Sequence, residues 1–349
     1  MPERYYNIQE DADKARSRGA GVLYVPSARG IGKTYTTCDL LYKYSKGEFW
    51  WQNPLTPKFL YMRRAKVEIT AVCSDEEFFF KKYNANNQTE INVEFKKQEG
   101  IGSLYDGKRH IGYVSSISTF DNLRGADLSD VGLIVVDEIL PPKKSRDIKG
   151  DGKLFLHMLE TTFRNIEVET GIKPFVILIS NPIRLSSNFL IELNLVRHLA
   201  EMQLNGQKRL FVPDRDLYIR IIQDGEYKIL EEKKNTLVYK FAKGTGFGEE
   251  SLATDFDFEK NRILKNVNIN EFIPVFTIGS FTFFRHKSKD MGFLSSKPYT
   301  CPIKYDYNQL AAFHNMHYWD YKELRMFNLV YYDNQNTRVV FENMIDYKD

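Results

Sequence analysis

The sequence predicts an α/β fold built around a mostly parallel sheet, and three observations predict it. Apolar runs of strand length recur through the first half of the chain, separated by stretches with helical spacing. Several of these runs are apolar almost throughout, as strands covered on both faces must be. One run leads through a glycine-rich turn straight into a helix, in the segment SARGIGKTY at Ser27–Tyr35.

The elements follow in order. GVLYVP (Gly21–Pro26) reads as a short buried strand, and YTTCDLLYKYSK (Tyr35–Lys46) as a helix after the glycine turn. FLYMRR (Phe59–Arg64) and IGYVSS (Ile111–Ser116) are further strands. VGLIVVDE (Val131–Glu138) is a nearly continuous apolar run that ends in two acids, as expected of a central parallel strand. LFLHMLETTFRN (Leu154–Asn165) is helical, and PFVILISN (Pro174–Asn181) is another apolar strand ending in a polar residue. Strands that alternate with helices pair in parallel, and such sheets bind ligands at the carboxyl ends of their strands. Lys33, Asp137, Glu138 and Asn181 all fall there.

A chain of 349 residues is too long for one ordinary core. The α/β pattern fills a first domain, residues 1–204. Beyond it come short, charged, β-like pieces (LYIRII, YKILEE, TLVYKFA) and the glycine-rich KGTGFGEES at Lys243–Ser251, read as a small linker subdomain over 205–258. Residues 259–349 form a third, β-rich part, whose clearest feature is the hairpin-like FIPVFTIGSFTFFRH at Phe272–His286.

Composition narrows the function classes. Hydrophobic residues at 42% allow a sizeable core and argue against global disorder. A net charge of +3 means that any nucleic-acid contact must come from local basic clusters. Cys38, Cys73 and Cys301 have no metal-ligand spacing and no disulfide framework, which fits a reducing compartment. The start MPERYYNIQEDADK is too polar for a signal peptide, and no apolar run is long enough to cross a bilayer. His314 and His317 share one face of a possible helix, without an evident third metal ligand.

The glycine turn carries the chemistry. The pattern G-x-x-x-x-G-K-[ST] curls backbone amides around phosphate, sends a lysine to the β/γ oxygens and offers a hydroxyl to magnesium. Gly32, Lys33 and Thr34 supply its demanding end, Ala28, Arg29, Gly30 and Ile31 form the loop, and Ser27 stands where the first glycine belongs. That replacement requires an ordinary backbone conformation at Ser27. Asp137 can hold the magnesium shell, and Glu138 can polarise an attacking water. Asn181 can sense the γ-phosphate. The cofactors expected are therefore ATP and Mg2+.

SARGIGKTY, FLYMRRAK, STFDNLRGADLSDVGLIVVDE, ETTFRN and ILISNP, in this order and spacing, resemble the DNA-packaging ATPases of small tailed bacteriophages of the phi-29 type, relatives of large terminase subunits. The resemblance is strong over about residues 20–190 and weaker beyond. It implies an ASCE-type P-loop ATPase that pumps double-stranded DNA into a procapsid. The motor would be a ring, a homopentamer, on the portal (connector) protein. In phages of that type a packaging RNA links motor to portal. The resemblance also implies a site in the host cytoplasm, transiently at the portal vertex. In family terms Ser27–Thr34 are the phosphate loop, Asp137 and Glu138 the Walker B acid and catalytic carboxylate, and Asn181 the coupling residue. Arg124 in DNLRGAD and Arg164 in TFRN stand where an arginine acting in trans is expected.

Two basic clusters are candidates for gripping DNA phosphates. Arg63, Arg64 and Lys66 follow a strand end, while Lys143, Lys144, Arg146, Lys149 and Lys153 follow the acidic pair. Solvated loop charge is the competing view of both. In the last part the strand candidates carry no acid at their middles, so the expectation is an RNase H-like fold without nuclease residues. Arg285, Lys287 and Lys289 there suggest docking to nucleic acid or portal. Two rivals share the nucleotide site: a replication helicase or loader, and a nucleotide-binding scaffold without turnover.

Overall fold

The structure, a computed structural model, describes residues 4–74, 77–95, 100–119, 127–140, 150–181, 187–223, 225–242, 262–264, 266–297, 299–326 and 329–346. The chain divides into two compact units. One comprises Met1–Leu193 with Asn205–Phe256, the other Asn194–Leu204 with Asp257–Asp349.

The first unit is built on a nine-stranded sheet. In chain order its elements are α1 (Ile8–Ser17), β1 (Val22–Pro26), α2 (Lys33–Ser45), β2 (Lys58–Arg63), α3 (Lys66–Val72), α4 (Lys81–Asn87), β3 (Ile91–Phe95), β4 (Gly102–Asp106), β5 (Arg109–Ser116), β6 (Val131–Val136), α5 (Asp151–Phe163), α6 (Ile166–Thr170), β7 (Phe175–Ser180) and α7 (Asn188–Glu192). After the second unit's α8 (Val196–Leu204) come β8 (Arg209–Val212), β9 (Leu217–Arg220), α9 (Lys228–Lys234) and α10 (Leu237–Phe241). The strand order is β3-β4-β5-β2-β6-β7-β1-β9-β8. The middle, from β5 to β9, is parallel, and the antiparallel pairs are β3-β4, β4-β5 and β8-β9. β6 and β7 are buried at every position, which explains their uninterrupted apolar sequences. β7 lies between β1 and β6, so the phosphate-loop strand and the acidic strand are separated by one strand.

The domain division differs from the sequence expectation. Residues 205–256 belong to the first unit, because β9 pairs in parallel with β1 and extends its sheet. YKILEE and TLVYKFA, expected as β-like pieces, are the helices α9 and α10. Six residues of mixed apolar and charged character fit period 2 and period 3.6 alike. Ion pairs one helical turn apart, Lys228–Glu232 at 3.9 Å and Lys234–Glu231 at 2.8 Å, support the helical solution.

The second unit is α/β rather than simply β-rich. Its sheet has the order β13-β10-β11-β12-β14, from β10 (Phe272–Ile278), β11 (Phe281–His286), β12 (Gly292–Ser295), β13 (Lys304–Tyr305) and β14 (Val330–Tyr332). β10 and β11 form the expected hairpin, β12 adds antiparallel to it, and β13 and β14 lie parallel to their neighbours at the two edges. Three helices accompany the sheet: Leu310–Met316, where His314 and His317 suggested one, and Tyr318–Met326 and Gln335–Asp346, which the sequence reading did not include. Phe313, Tyr321 and Phe341 from them enter its core with Phe276 and Phe283. His314 lies in the first of these helices and His317 follows its end. Among the described residues no group of three His, Cys, Asp or Glu is placed to hold a metal ion, and no helix is long and apolar enough to cross a membrane.

One buried ion cluster ties the first unit's N-terminal helix to its last parallel strand. Arg220 in β9 is 1% exposed and lies 3.3 Å from Asp11 of α1, itself 2% exposed. It also pairs with Glu226, just before α9. Removing one member leaves a buried charge undercompensated. Asp11→Ala is expected to cost about 3 kcal/mol in chemical denaturation, and a loss below about 1 kcal/mol would show that the pair does not anchor α1.

Candidate nucleotide site

The site lies at the carboxyl ends of β1, β6 and β7, in a cavity of about 560 Å³. The loop from Ser27 to Gly32 links β1 to α2. Its two glycines hold the conformations that side chains resist, with φ +69° at Gly30 and +103° at Gly32. Ser27 is not among the residues with positive φ, so a serine serves at the first position of the motif. Its N–H donates to the Ser180 carbonyl at 3.0 Å, pinning the loop's start to β7.

Lys33 opens α2 and is 8% exposed. Its Nζ donates to the Ser27 carbonyl at 2.7 Å, the Ala28 carbonyl at 3.0 Å, Asn181 Oδ1 at 3.1 Å and the Ser180 carbonyl at 3.4 Å. Burial pulls its pKa down to about 7. Asp137 and Glu138 oppose that shift, and the positive charges of Arg29 and Lys233 add to it.

The acids stand opposite. Asp137 is 2% exposed and its Oδ2 lies 3.5 Å from the Thr34 hydroxyl. It also accepts from Tyr61 at 3.1 Å and from Arg63 at 3.3 Å. Arg63 in turn reaches Glu138 Oε2 at 2.5 Å. Burial works against the Arg63 charge, but Tyr61, Asp137 and Glu138 more than offset it and hold the guanidinium above its ordinary range. Glu138 has φ +56°, a left-handed conformation costly for a residue with a Cβ. Its cause is local. The Asp137 N–H bonds to Met62 of β2, whereas the Ile139 N–H bonds to Ile179 of β7. The chain changes partner strand across Glu138, and the turn lifts the Glu138 side chain, half-exposed, out of the sheet.

Lys33, Thr34, Asp137, Glu138 and Asn181 are thus brought into one pocket together with Arg29, Gly30 and Gly32. Ala28 and Ile31 are buried beneath the loop. Two expected DNA contacts are placed elsewhere. Arg63 is 7% exposed and belongs to the acidic cluster, and Arg64 is 5% exposed and pairs with Glu68. Both end a central strand covered on its two faces, so their charge turns inward. Lys66 is exposed at the start of α3. Arg164 is exposed at the end of α5, and Lys153 is exposed within it. Arg124, Lys143, Lys144, Arg146 and Lys149 lie outside the described residues. Sequence reasoning missed Tyr5, Tyr35 and Lys82, which also line the pocket. It also missed Tyr61 and Arg63 as partners of Asp137. Their spacing of two on a strand beside the acidic one was the available signal, since it puts both on one face.

Of the pocket's oxygens, the Thr34 hydroxyl and the Asp137 carboxylate stand 3.5 Å apart, and both are hard donors. Such a set suits magnesium, which keeps several waters and shares phosphate oxygens, better than a metal needing an all-protein cage. A glycine loop followed by a lysine is an arrangement that can cradle phosphate.

A family model described as Podovirus DNA encapsidation protein (Gp16) matches residues 3–301. The chain belongs to that family. Comparison with curated protein sequences finds no match. Among solved structures, the bacteriophage Phi-29 viral genome packaging motor assembly is similar with a TM-score of 0.62 at 20% identity, covering 97% of this chain and 99% of that one. The Phi-28 gp11 DNA packaging motor is similar with a TM-score of 0.60 at 13% identity, covering 99% of each. At these identities the likeness speaks for the fold, and it extends over both units.

The strain at Glu138 can be isolated. Glu138→Gly and Glu138→Ala both lose the carboxylate, so their difference reports the backbone. The glycine variant is expected to be more stable by about 1 kcal/mol in thermal or chemical denaturation. An alanine variant at least as stable would show that the left-handed turn is not strained.

Proposed function

We propose that this encapsidation protein is an ATP-driven motor that moves double-stranded viral DNA into a procapsid through its portal vertex. One observation carries the proposal: Lys33 of a glycine loop, the Thr34 hydroxyl, Asp137 and Glu138 all face one pocket. Phosphates would lie on the loop from Ser27 to Thr34, and Lys33 would exchange its carbonyl partners for β and γ oxygens. Thr34 and Asp137 would hold magnesium, which when bound neutralises charge developing on the transferred phosphoryl group. Glu138 would orient the attacking water. That role requires its carboxylate to leave Arg63. Asn181, already on Lys33, would register the γ-phosphate.

Ring assembly supplies what one subunit lacks. Arg164 is exposed and, among the described residues, without an ion pair, which suits an arginine offered to a neighbour; Arg124 is the second candidate. A homopentamer on the portal, with or without a packaging RNA, fits the packaging-motor assembly to which the fold is similar. It would work in the host cytoplasm, at the portal vertex. Lys66 with Lys143, Lys144, Arg146 and Lys149 would grip the DNA backbone by charge alone. The second unit would dock to nucleic acid or portal through Arg285, Lys287 and Lys289, without cutting DNA. Among the described residues its strands carry no acid for a two-metal centre.

Packaging of DNA into empty procapsids by purified components tests the reading. Glu138→Gln is expected to bind ATP, to hydrolyse it at least about 100-fold more slowly and to package nothing. Normal hydrolysis by that variant would remove Glu138 from the catalytic role, and packaging that needs no ATP would overturn the motor.

The lowered pKa of Lys33 gives a separate signature. Bound phosphates stabilise its charged form and raise its pKa above about 7. Triphosphate binding should then be insensitive to this group below pH 7, and should take up a proton and weaken as pH rises above it. At pH 8, calorimetry in buffers of different ionisation enthalpy should show uptake on the order of one proton, lost in Lys33→Met. No uptake by the wild type would mean that Lys33 is already charged in the empty site.

A further inference from the structure

Lys233, in the last turn of α9, is used by none of the chemistry above. Its Nζ crosses to the phosphate loop and donates to the Arg29 carbonyl at 2.7 Å. A Cβ built on Gly30 would lie 1.8 Å from that nitrogen. Gly30 is needed for its positive φ, and its lack of a side chain lets the ammonium lie directly against the loop. Burial holds the Lys233 pKa below its ordinary value. Among the described residues no carboxylate pairs with it, and its ring neighbour is Tyr239, 5.9 Å away. A partly desolvated cation without a counter-ion, resting on a phosphate loop, calls for an anion.

Its place is built from both sides. Leu230 roots α9 in the core at 1% exposure. The Ile229 N–H donates to the Arg4 carbonyl at 3.2 Å, and the Arg4 guanidinium pairs with Glu232 at 3.2 Å. Tyr227 packs edge-on against Tyr6, with ring centres 5.7 Å apart. The Tyr6 N–H donates to the Ile31 carbonyl at 2.9 Å, so one N-terminal segment holds both α9 and the loop.

We propose that Lys233 is a positioning residue for the phosphate loop, polarising the Arg29–Gly30 peptide so that the Gly30 N–H meets a polyphosphate as a stronger donor. A peptide whose carbonyl accepts from an ammonium becomes a better donor at its nitrogen. The Lys233 charge also offsets part of the charge on the polyphosphate. The inference rests on reading the pocket as a nucleoside-triphosphate site. The ligand class it selects is the polyphosphate, because a monophosphate brings the least charge to the loop.

The test is calorimetric binding of ATP and AMP, with magnesium, to the full chain and to Lys233→Met, Lys233→Arg and Lys33→Ala, alongside melting temperatures. Lys233→Met keeps the aliphatic stem. It is expected to lose about 10-fold in ATP affinity, with AMP affinity and melting temperature nearly unchanged, and Lys233→Arg is expected to recover most of the loss. ATP affinity within twofold of wild type in Lys233→Met, or an equal loss for AMP, would overturn the inference while leaving the ATP site intact. A wild-type chain that binds no ATP, or a Lys33→Ala variant that binds as well as wild type, would instead bring down the nucleotide site and this inference with it.

Discussion

The first unit is organised around a buried amino group. The Lys33 Nζ is almost wholly removed from water, and a polar group so placed must find its hydrogen-bond partners in the protein. Two loop carbonyls and two groups at the end of β7 supply them. Each contact constrains the fold. The Ser27 and Ala28 carbonyls turn inward only if the loop reverses at Gly30 and Gly32, where φ is positive. Asn181 reaches Nζ only if β7 lies directly beside β1, which the register from Val22–Val176 to Pro26–Ser180 ensures. Loop conformation, strand order and site are thus one arrangement.

The acids face the same constraint. Asp137 is buried as deeply as Lys33, and it is stabilised by Tyr61, Arg63 and Thr34 rather than by water. The Tyr61 ring stacks on Phe79 at 4.2 Å, which fixes the hydroxyl that supports the carboxylate. Arg63 bridges Asp137 to Glu138 and so joins a deep, fixed acid to a half-exposed one on a strained turn. The difference suits their proposed roles. A carboxylate that holds a metal shell gains from rigidity, whereas one that must address a water has to change partner. The left-handed turn at Glu138 is where such a change costs least, since the resting conformation is already unfavourable.

The glycine loop, the acidic strand and the ends of β1, β6 and β7 were legible in the sequence because few residue types meet their demands. Only apolar runs suit strands buried on both faces, and only glycine holds the loop's two positive-φ positions cheaply. β3 and β4, the last two strands on one side of the sheet, were not legible, because INVEF and GSLYD mix buried and less buried positions without strict alternation. The last two helices of the second unit were hidden by aromatic residues such as Tyr321 and Phe341, which favour strands by propensity yet pack here from helices. Arg63 was misjudged because a basic residue at a strand end points outward or inward according to the next strand, and the Asp137 that draws it inward is 74 positions away. Lys233 was invisible for the same reason, its partner lying 204 positions distant.

The acids of the second unit show how local work can absorb charge that a catalytic centre would need. Asp333 follows β14 and accepts from the Ser295 hydroxyl at 2.9 Å and from the Ser296 N–H at 2.8 Å, fastening the end of β12. Asp306 opens the turn at Tyr307–Gln309 through its backbone, its N–H donating to Gln309 Oε1 at 3.0 Å and its carbonyl accepting from the Gln309 N–H at 2.9 Å. Asp290 lies 3.6 Å from Arg285, and Glu271 lies 3.4 Å from His286, at opposite sides of the hairpin's open end. Asp290 and Glu271 both meet the end of β11, at Arg285 and His286, whereas Asp333 meets the end of β12. Two-metal cleavage needs several of them to converge on one point, with the ions about 4 Å apart. Lys287 and Lys289, just past β11, are exposed to solvent, as the proposed docking to a polyanion requires.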